Sequence, residues 1–285
     1  MDVSIVVPFY KGNKYINTVL KMVKENAAIA ENISVELIIV NDSPEIAVCY
    51  DNDLVDGYQL TVVQHENNRG IQQARITGIN AAQGKYILML DQDDEIAPNT
   101  IKCQYDLIGD HAAVLSNGYS ESMDKLRKKL YRSQKQMAVV NDFSYYFYFG
   151  NMIASPGLCL IRKDKIPSLW MTNVMQINGA DDWLLWVLFL NEGNRFVLNN
   201  AFLYVHKNDG QNTSNNDRKM LDSSQEALDI LRNKGITDTH LLRIYERRLR
   251  MRRAYLNGSK LDKAIQYLKN LDIFWRVLKY NRLMK

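Results

Sequence analysis

Apolar residues in the first third of the chain form four short runs, and the segments between these runs have helical spacing. The runs cover residues 4–7, 35–40, 60–63 and 86–90, and they are rich in Val, Ile and Leu. Continuous apolar runs of this length are typical of strands that are covered on both faces, as in parallel sheets. The alternation of strands and helices therefore predicts an α/β fold with a mostly parallel, doubly wound sheet.

The predicted strands place three polar segments at one edge of this sheet. Residues 8–11, 41–44 and 91–95 each follow a predicted strand. Between the strands, residues 15–23 carry an apolar helical stripe, and residues 71–82 carry small residues that permit a helix to pack closely on the sheet. Because ligands of doubly wound folds bind at the carboxyl ends of the strands, the sequence predicts a ligand site at this edge.

The rest of the chain is predicted to be irregular at first and then mostly helical. Residues 183–190 are apolar nearly all round, which predicts a buried helix. The six aromatic residues within 143–149 either belong to the core or offer flat faces to an acceptor sugar. A polar, turn-rich segment at 208–217 precedes the last helices. We therefore predict a catalytic domain over residues 1–215 and a basic, mostly helical extension over residues 216–285.

Composition predicts a folded cytoplasmic protein. Hydrophobic residues make up 46% of the chain, and its three cysteines are widely spaced, so neither a disulfide framework nor a structural zinc site is expected. The first residues do not resemble a secretory leader. The longest apolar run has eight residues, whereas a membrane-spanning helix needs roughly 20.

Positive charge is concentrated at the C-terminal end. From residue 240 onward there are thirteen basic and three acidic residues, a net charge of +10, against +4 for the whole chain. The same region has apolar residues at helical spacing: Leu261, Ile265, Leu268, Leu271, Trp275 and Leu278. A basic amphipathic helix can lie on the inner, anionic surface of the plasma membrane, or it can pack on the catalytic domain or on a second subunit. No motif predicts nucleic-acid binding.

The strongest candidate for chemistry is the acidic turn Asp91-Gln92-Asp93-Asp94, directly after the fourth strand. Three carboxylates within four residues repel one another unless a cation compensates. Their oxygen atoms suit Mg²⁺ or Mn²⁺, either of which can also bind phosphates. A solvent-exposed acidic turn would contain the same residues, so the metal-site hypothesis depends on the motifs that accompany the turn.

Six segments resemble, in the same order, the inverting family 2 nucleotide-sugar glycosyltransferases, which have the Rossmann-like GT-A fold. The segments are SIVVPFYKG (4–12), ELIIVNDSP (36–44), the run from Asn68 to Asn99, SPGLCLIRKD (155–164), GADDWLLWVLFL (179–190) and LYVHKNDGQNTS (203–214). This resemblance implies transfer of a sugar from a nucleoside-diphosphate donor, expected to be a UDP-sugar. The implied acceptor is a glycan or lipid-linked saccharide of a bacterial surface polysaccharide.

The resemblance also implies how the donor is bound. Pro8 and Tyr10 are similar to the turn that contacts the nucleobase, and Asp42 is similar to the carboxylate that binds uracil. Arg75 resembles the arginine that reaches the nucleotide. At three positions the chain has residues unusual for the family: Lys11, Asn41 and Ile76.

Metal and catalytic roles follow from the same resemblance. Asp91 and Asp93 match the DxD pair that binds Mn²⁺ or Mg²⁺, with Asp93 the expected direct ligand and Asp91 expected to contact the nucleotide-sugar as well. Asp94 is close enough to bind metal or donor in the place of Asp93. His206 resembles a histidine near the metal and the diphosphate, although a lone histidine is often structural. Asp182 matches the expected general base, although an acid at a helix start also serves as a cap.

The implied mechanism is a single displacement. Asp182 would take the proton of the acceptor hydroxyl while the metal stabilises the leaving diphosphate. Two alternatives are a sugar nucleotidyltransferase and a non-catalytic module that binds nucleotide-sugars. The first would be expected to have a glycine-rich phosphate loop, which PFYKGNKY does not provide. The second would be expected to lack Asp182 or the DxD pair.

Overall fold

The chain folds around one mixed β-sheet. The computed structural model describes residues 1–208, 216–234 and 238–283, so most of the predicted polar segment at 208–217 lies outside the described residues. In the described residues the sheet has nine strands. In chain order the strands are β1 Val3–Phe9, β2 Val35–Asn41, β3 Gln59–Gln64, β4 Tyr86–Met89, β5 Glu95–Ile96, β6 Ala113–Glu121, β7 Arg127–Lys129, β8 Cys159–Arg162 and β9 Phe196–Lys207.

The first half of the sheet is parallel, as predicted. Its order is β3-β2-β1-β4, and each neighbouring pair is parallel. Strands β1, β2 and β4 are buried along their whole length, which matches their continuous apolar sequences. The expectation of cover on both faces is wrong for β3, because this strand lies at the sheet edge and its residues are half-buried or exposed.

The second half of the sheet brings distant segments together. Strand β8 lies between β4 and β6 and is antiparallel to both. Strand β9 runs parallel to β6 and antiparallel to β5. The register pairs Glu95 with Val205 and Ser120 with His206. His206 therefore lies beside the segment that follows Asp94, although more than a hundred residues separate them in the sequence.

Eleven helices are present in the described residues. They are α1 Ile16–Ile29, α2 Ile71–Ala81, α3 Thr100–Ile108, α4 Gln134–Ala138, α5 Phe143–Tyr148, α6 Ser168–Thr172, α7 Asp181–Asn191, α8 Asp217–Asn233, α9 Thr239–Asn257, α10 Lys260–Lys269 and α11 Leu271–Leu283. Helix α2 packs closely on the parallel strands, as its small residues predicted. A Cβ atom on Gly78 would lie 2.3 Å from Val6 Cγ1, so a side chain at this position would push the helix away.

Apolar and aromatic side chains of α5 and α7 fill the core beside the second half of the sheet. The predicted buried helix is confirmed, since residues 183–190 are all buried. Helix α5 contains most of the aromatic run, and Tyr145, Tyr146, Phe147 and Tyr148 are buried as well. This burial favours the core interpretation of the aromatic run over a platform for an acceptor sugar.

The C-terminal helices combine an inner, packed part with an outer, exposed part. Helix α8 packs on α7, and α9 packs on α5 and α8. The predicted single stripe is divided between α10 and α11 at Asn270, where Arg247 donates to Asn270 Oδ1 (2.9 Å) and pairs with Asp272. The apolar residues of the stripe are exposed rather than packed on the catalytic domain: Leu261, Ile265, Leu268, Leu271, Trp275 and Leu278. In the described part of the chain, every helix is too short or too polar to cross a bilayer.

Candidate active site

A cavity of about 770 Å³ opens at the predicted edge of the sheet, beyond the carboxyl ends of β1, β2 and β4. Helices α2 and α7 supply further parts of its wall. All nine predicted site residues line this cavity: Pro8, Tyr10, Asp42, Arg75, Asp91, Asp93, Asp94, Asp182 and His206. The volume lies within the range of small-molecule sites, which is roughly 300–1,000 Å³.

Arg75 links the acidic turn to the acid pair at the start of α7. Its guanidinium group is buried and donates to Asp181 Oδ2 (2.7 Å) and to Asp91 Oδ1 (2.6 Å). Burial opposes the positive charge, but the neighbouring carboxylates outweigh it and raise the pKa of Arg75. Both terminal nitrogen atoms of Arg75 therefore donate to acids of the site. A direct contact between Arg75 and the nucleotide stays a prediction.

A chain of buried hydroxyl groups connects the two ends of the acidic turn. The Ser155 hydroxyl donates to Asp91 Oδ2 (3.2 Å) and lies 2.7 Å from the Tyr204 hydroxyl, which in turn donates to Asp94. Burial raises the pKa of Tyr204 well above its usual value, so the phenol remains a donor. Asp91 and Asp94 are thus held on either side of Asp93.

Asp94 is a partner of His206 rather than an exposed acid. Its carboxylate accepts from the backbone N–H of Lys207 (2.7 Å), and its Oδ2 lies 3.1 Å from His206 Nδ1. This hydrogen bond raises the pKa of His206, whereas burial raises the pKa of Asp94. A carboxylate on Nδ1 orients an imidazole so that Nε2 can bind a metal ion. A direct contact of Asp94 with the donor stays a prediction.

The acidic turn offers part of a divalent-metal site. Among the described residues, no three His, Cys, Asp or Glu side chains converge on one point. Asp93 and His206 both line the cavity, and they would supply one carboxylate and one imidazole. Mg²⁺ is commonly held by one or two carboxylates together with phosphate oxygens of the substrate. These residues therefore fit an ion that the diphosphate of a donor helps to bind.

Asp42 stabilises the loop between β3 and α2. Its carboxylate accepts from His65 Nδ1 (2.8 Å) and from the backbone N–H groups of Arg69 (2.7 Å) and Gly70 (2.9 Å). Asp42 is buried, yet it lines the cavity. The predicted contact with uracil stays a prediction, and the structure adds a role for Asp42 in shaping this side of the cavity.

The turn after β1 is attached to the acidic turn by Gln92. The Gln92 side chain accepts from the Tyr10 N–H (2.9 Å) and donates to the Tyr10 carbonyl (3.1 Å). A Cβ atom on Gly12 would lie 2.3 Å from Gln92 Oε1, so a side chain there would displace Gln92. Tyr10 itself is exposed at the cavity mouth, where a planar base can stack on it.

The two acids of α7 have different environments. Asp181 is paired with Arg75. Asp182 accepts from Asn151 Nδ2 (2.7 Å) and from the backbone N–H of Trp183 (2.7 Å). Burial, followed by the charge of Asp181, raises the pKa of Asp182 to about 7. A carboxyl with this pKa can accept a proton near neutral pH, as a general base requires.

Sequence reasoning missed several residues of this site, among them Gln92, Asn151, Ser155, Tyr204 and Lys219. Tyr204 had a usable signal, because it lies two positions before His206 in a strand and so shares its face. Lys219 belongs to α8 and lines the cavity, so the C-terminal extension contributes to the site. Nothing in the local sequence marks Asn151.

The fold class of this protein follows from its similarity to a solved structure. The crystal structure of S. aureus TarS 1–349 in complex with UDP-GlcNAc is similar, with a TM-score of 0.62, 18% sequence identity and coverage of 100% of this chain and 82% of that chain. At this identity the similarity shows the fold alone. The predicted GT-A type of α/β fold with C-terminal helices is confirmed.

The sequence defines the family. The family model described as Glycosyl transferase family 2 matches residues 4–170, which is more than half of the chain. The chain therefore belongs to glycosyl transferase family 2, and the family that the sequence segments resemble is confirmed. Glycosyltransferase GlyG of Streptococcus pneumoniae is 31% identical over 129 residues, which cover 41% of this chain and 39% of GlyG.

A second relative is the minor teichoic acid biosynthesis protein GgaB of Bacillus subtilis. It is 29% identical over 112 residues, which cover 39% of this chain and 12% of GgaB. The chain thus spans less than half of the length of both relatives.

Proposed function

We propose that this chain is a metal-dependent, inverting glycosyltransferase that moves a sugar from a UDP-sugar to a hydroxyl group of a saccharide acceptor. One observation supports this function above the others. Asp182, with its pKa raised by burial to about 7, lines the same cavity as the acidic turn at residues 91–94. A proton acceptor and the carboxylates that would hold a divalent ion for the diphosphate therefore line one cavity.

The donor would lie along the edge of the parallel strands. Tyr10 and Asp42 lie at the end of the cavity formed by β1 and β2, where they would contact the base. The sugar would lie between the acidic turn and Asp182. TarS, which has the same fold, is known in complex with UDP-GlcNAc, and this supports a UDP-sugar as the donor. UDP-GlcNAc is the first donor to test.

Negative charge develops on the diphosphate as it leaves the sugar, and the site around it is already acidic. A Mn²⁺ or Mg²⁺ ion, when bound, would neutralise part of that charge. Asp93 and His206 would hold the ion, and Asp94 would orient His206 through the Nδ1 contact of 3.1 Å. Arg75 and Ser155 would fix Asp91 at the side of the ion.

Proton transfer would be the task of Asp182. Asp181 is occupied by Arg75, so Asp182 is the acid of the pair that is available to an acceptor hydroxyl. Asp182 would remove the hydroxyl proton as the oxygen attacks the anomeric carbon from the side opposite to the diphosphate. A single displacement of this kind inverts the anomeric centre and forms no covalent intermediate with the protein.

The acceptor and the location are inferred from relatives and from the surface. GgaB acts in teichoic acid biosynthesis by its name, which supports a glycan or lipid-linked saccharide of a cell-surface polymer as the acceptor. The exposed apolar residues of α10 and α11 are accompanied by basic residues: Lys260, Lys263, Lys269, Arg276, Lys279 and Arg282. Such a surface fits the anionic inner face of the plasma membrane.

The function can be tested by release of the nucleoside diphosphate from a panel of UDP-, GDP- and dTDP-sugars with Mn²⁺ or Mg²⁺. We expect turnover of a UDP-sugar that stops in excess EDTA and in the Asp93→Ala variant. Asp124→Ala removes an exposed acid outside the cavity and serves as the matched control. Full turnover in excess EDTA would contradict the metal requirement. Tight UDP-sugar binding without turnover of any donor would instead support a non-catalytic binding module.

A further inference from the structure

Helix α9 contacts both segments that carry the proposed base and its partner. The base, Asp182, lies in the first turn of α7, and Asn151 lies three residues after the end of α5. Their side chains meet in a hydrogen bond of 2.7 Å. Helix α9 is far from both in the sequence and lies outside residues 4–170, the part of the chain that matches the family.

One contact of α9 fixes the base side of this hydrogen bond. Tyr245 stacks on Trp183, with ring centroids 4.1 Å apart and ring planes inclined by 7°. Both rings are buried, and the Trp183 Nε1–H donates to the Tyr146 carbonyl (2.9 Å). Because Trp183 follows Asp182 directly, a movement of this ring would turn the first residues of α7.

The other contact fixes the partner side. The Arg248 guanidinium donates to the Phe149 carbonyl (2.5 Å), two residues before Asn151. Gly150 lies against the same guanidinium, with φ of +97°, and a Cβ there would be only 2.8 Å from an Arg248 nitrogen. Burial lowers the pKa of Arg248, and in the described chain no carboxylate lies within ion-pair distance of it. The charged group of Arg248 therefore binds a backbone carbonyl instead of a carboxylate.

We propose that Tyr245 and Arg248 are positioning residues, which hold Trp183 and the Phe149–Gly150 peptide so that Asn151 stays hydrogen-bonded to Asp182. The proposal rests on the proposed function, in which Asp182 is the base. Both contacts come from one helix, so α9 couples the position of Asn151 to that of Asp182. Displacements on the order of 1 Å in such an arrangement can reduce a rate by up to about 10²-fold.

The test compares Arg248→Ala, Arg248→Lys, Asn151→Ala and the Asn151→Ala/Arg248→Ala double variant. Arg253→Ala, which removes an exposed charge from the same helix, is the matched control. UDP release from UDP-GlcNAc should fall about tenfold in Arg248→Ala and Asn151→Ala, with the Kd for UDP within twofold of the parent. The double variant should be no slower than Asn151→Ala, because Arg248 acts through Asn151. Arg248→Lys should recover part of the rate.

A second measurement is independent of turnover. Aspartate carboxyl carbons are labelled with ¹³C, and the Asp182 signal is assigned by its loss in Asp182→Asn. Without the Asn151 hydrogen bond the charged form of Asp182 is less stable. The midpoint of the Asp182 titration should therefore rise by on the order of one pH unit. Arg75, Asp91 and Asp181 also act on this group, and the variants leave them in place.

Unchanged rates and an unchanged Asp182 titration in Arg248→Ala, matching Arg253→Ala, would overturn the proposal. Multiplicative effects in the double variant would also overturn it, because Arg248 would then act independently of Asn151. Full turnover in Asp182→Asn would instead refute the proposed base, whatever the result for α9.

Discussion

Replacement of Arg75 by Met should destabilise the protein by about 3–5 kcal/mol, because it removes the counterion of two carboxylates in the site. The Arg75 and Asp181 side chains are only 4% and 5% exposed, so water cannot solvate Asp181 in place of the guanidinium. Asp91 is 20% exposed and should add less. The unpaired Asp181 therefore accounts for most of the expected loss.

Urea unfolding followed by circular dichroism at pH 8 measures this loss, with Arg162→Met as the control. Arg162 also makes a two-pronged ion pair, with Asp164, but these side chains are 24% and 59% exposed. Exposed pairs contribute about 0–1 kcal/mol. The Arg75→Met loss should shrink as the pH falls, because protonation neutralises the unpaired carboxylates. Equal losses in the two variants, or no change with pH, would refute this reasoning.

The remaining predictions concern catalysis and location. Asp182→Asn should lower sugar transfer by about 10²-fold or more at unchanged UDP affinity, and a larger loss in Asp181→Asn would assign the base to its neighbour. In the parent enzyme kcat/KM should fall about tenfold per pH unit below about pH 7. Burial raises the pKa of Asp182 to about 7, and only the carboxylate form accepts a proton. A pH profile that is flat down to pH 5 would exclude Asp182 as the base. The chain should sediment with anionic but not neutral vesicles at low salt, and Trp275→Glu should abolish this, whereas Met123→Asp, at another exposed apolar position, should not.

Much of the fold could be predicted because its signals are local. Continuous apolar runs identify β1, β2 and β4, and residues directly after strands must lie at the carboxyl edge of a parallel sheet. For the same reason the predicted donor and metal residues line one cavity. The burial of β3 was predicted incorrectly, because its apolar run does not indicate that the strand lies at an edge.

The hydrogen-bond partners within the site could not be predicted. Arg75 and Asp181 are 106 residues apart, and their contact depends on how α2 and α7 pack across the sheet. Asp94 was predicted beside the donor, but the packing of β9 places Tyr204 and His206 on its carboxylate. The choice between core and acceptor surface for Tyr146 depends on neighbours from α7 and α9, which single-sequence periodicity does not reveal.

The stack of Tyr245 on Trp183 determines where the chain can be shortened. A truncation at residue 215 or 240 would expose the Trp183 ring and leave the interior beside α7 open, so such fragments should aggregate. A fragment that ends near residue 258 keeps α9 but loses the packing of α11 on α5, where the rings of Tyr280 and Phe149 lie with centroids 4.6 Å apart. Membrane attachment and sugar transfer are therefore better separated by the single change Trp275→Glu, which leaves the whole chain in place.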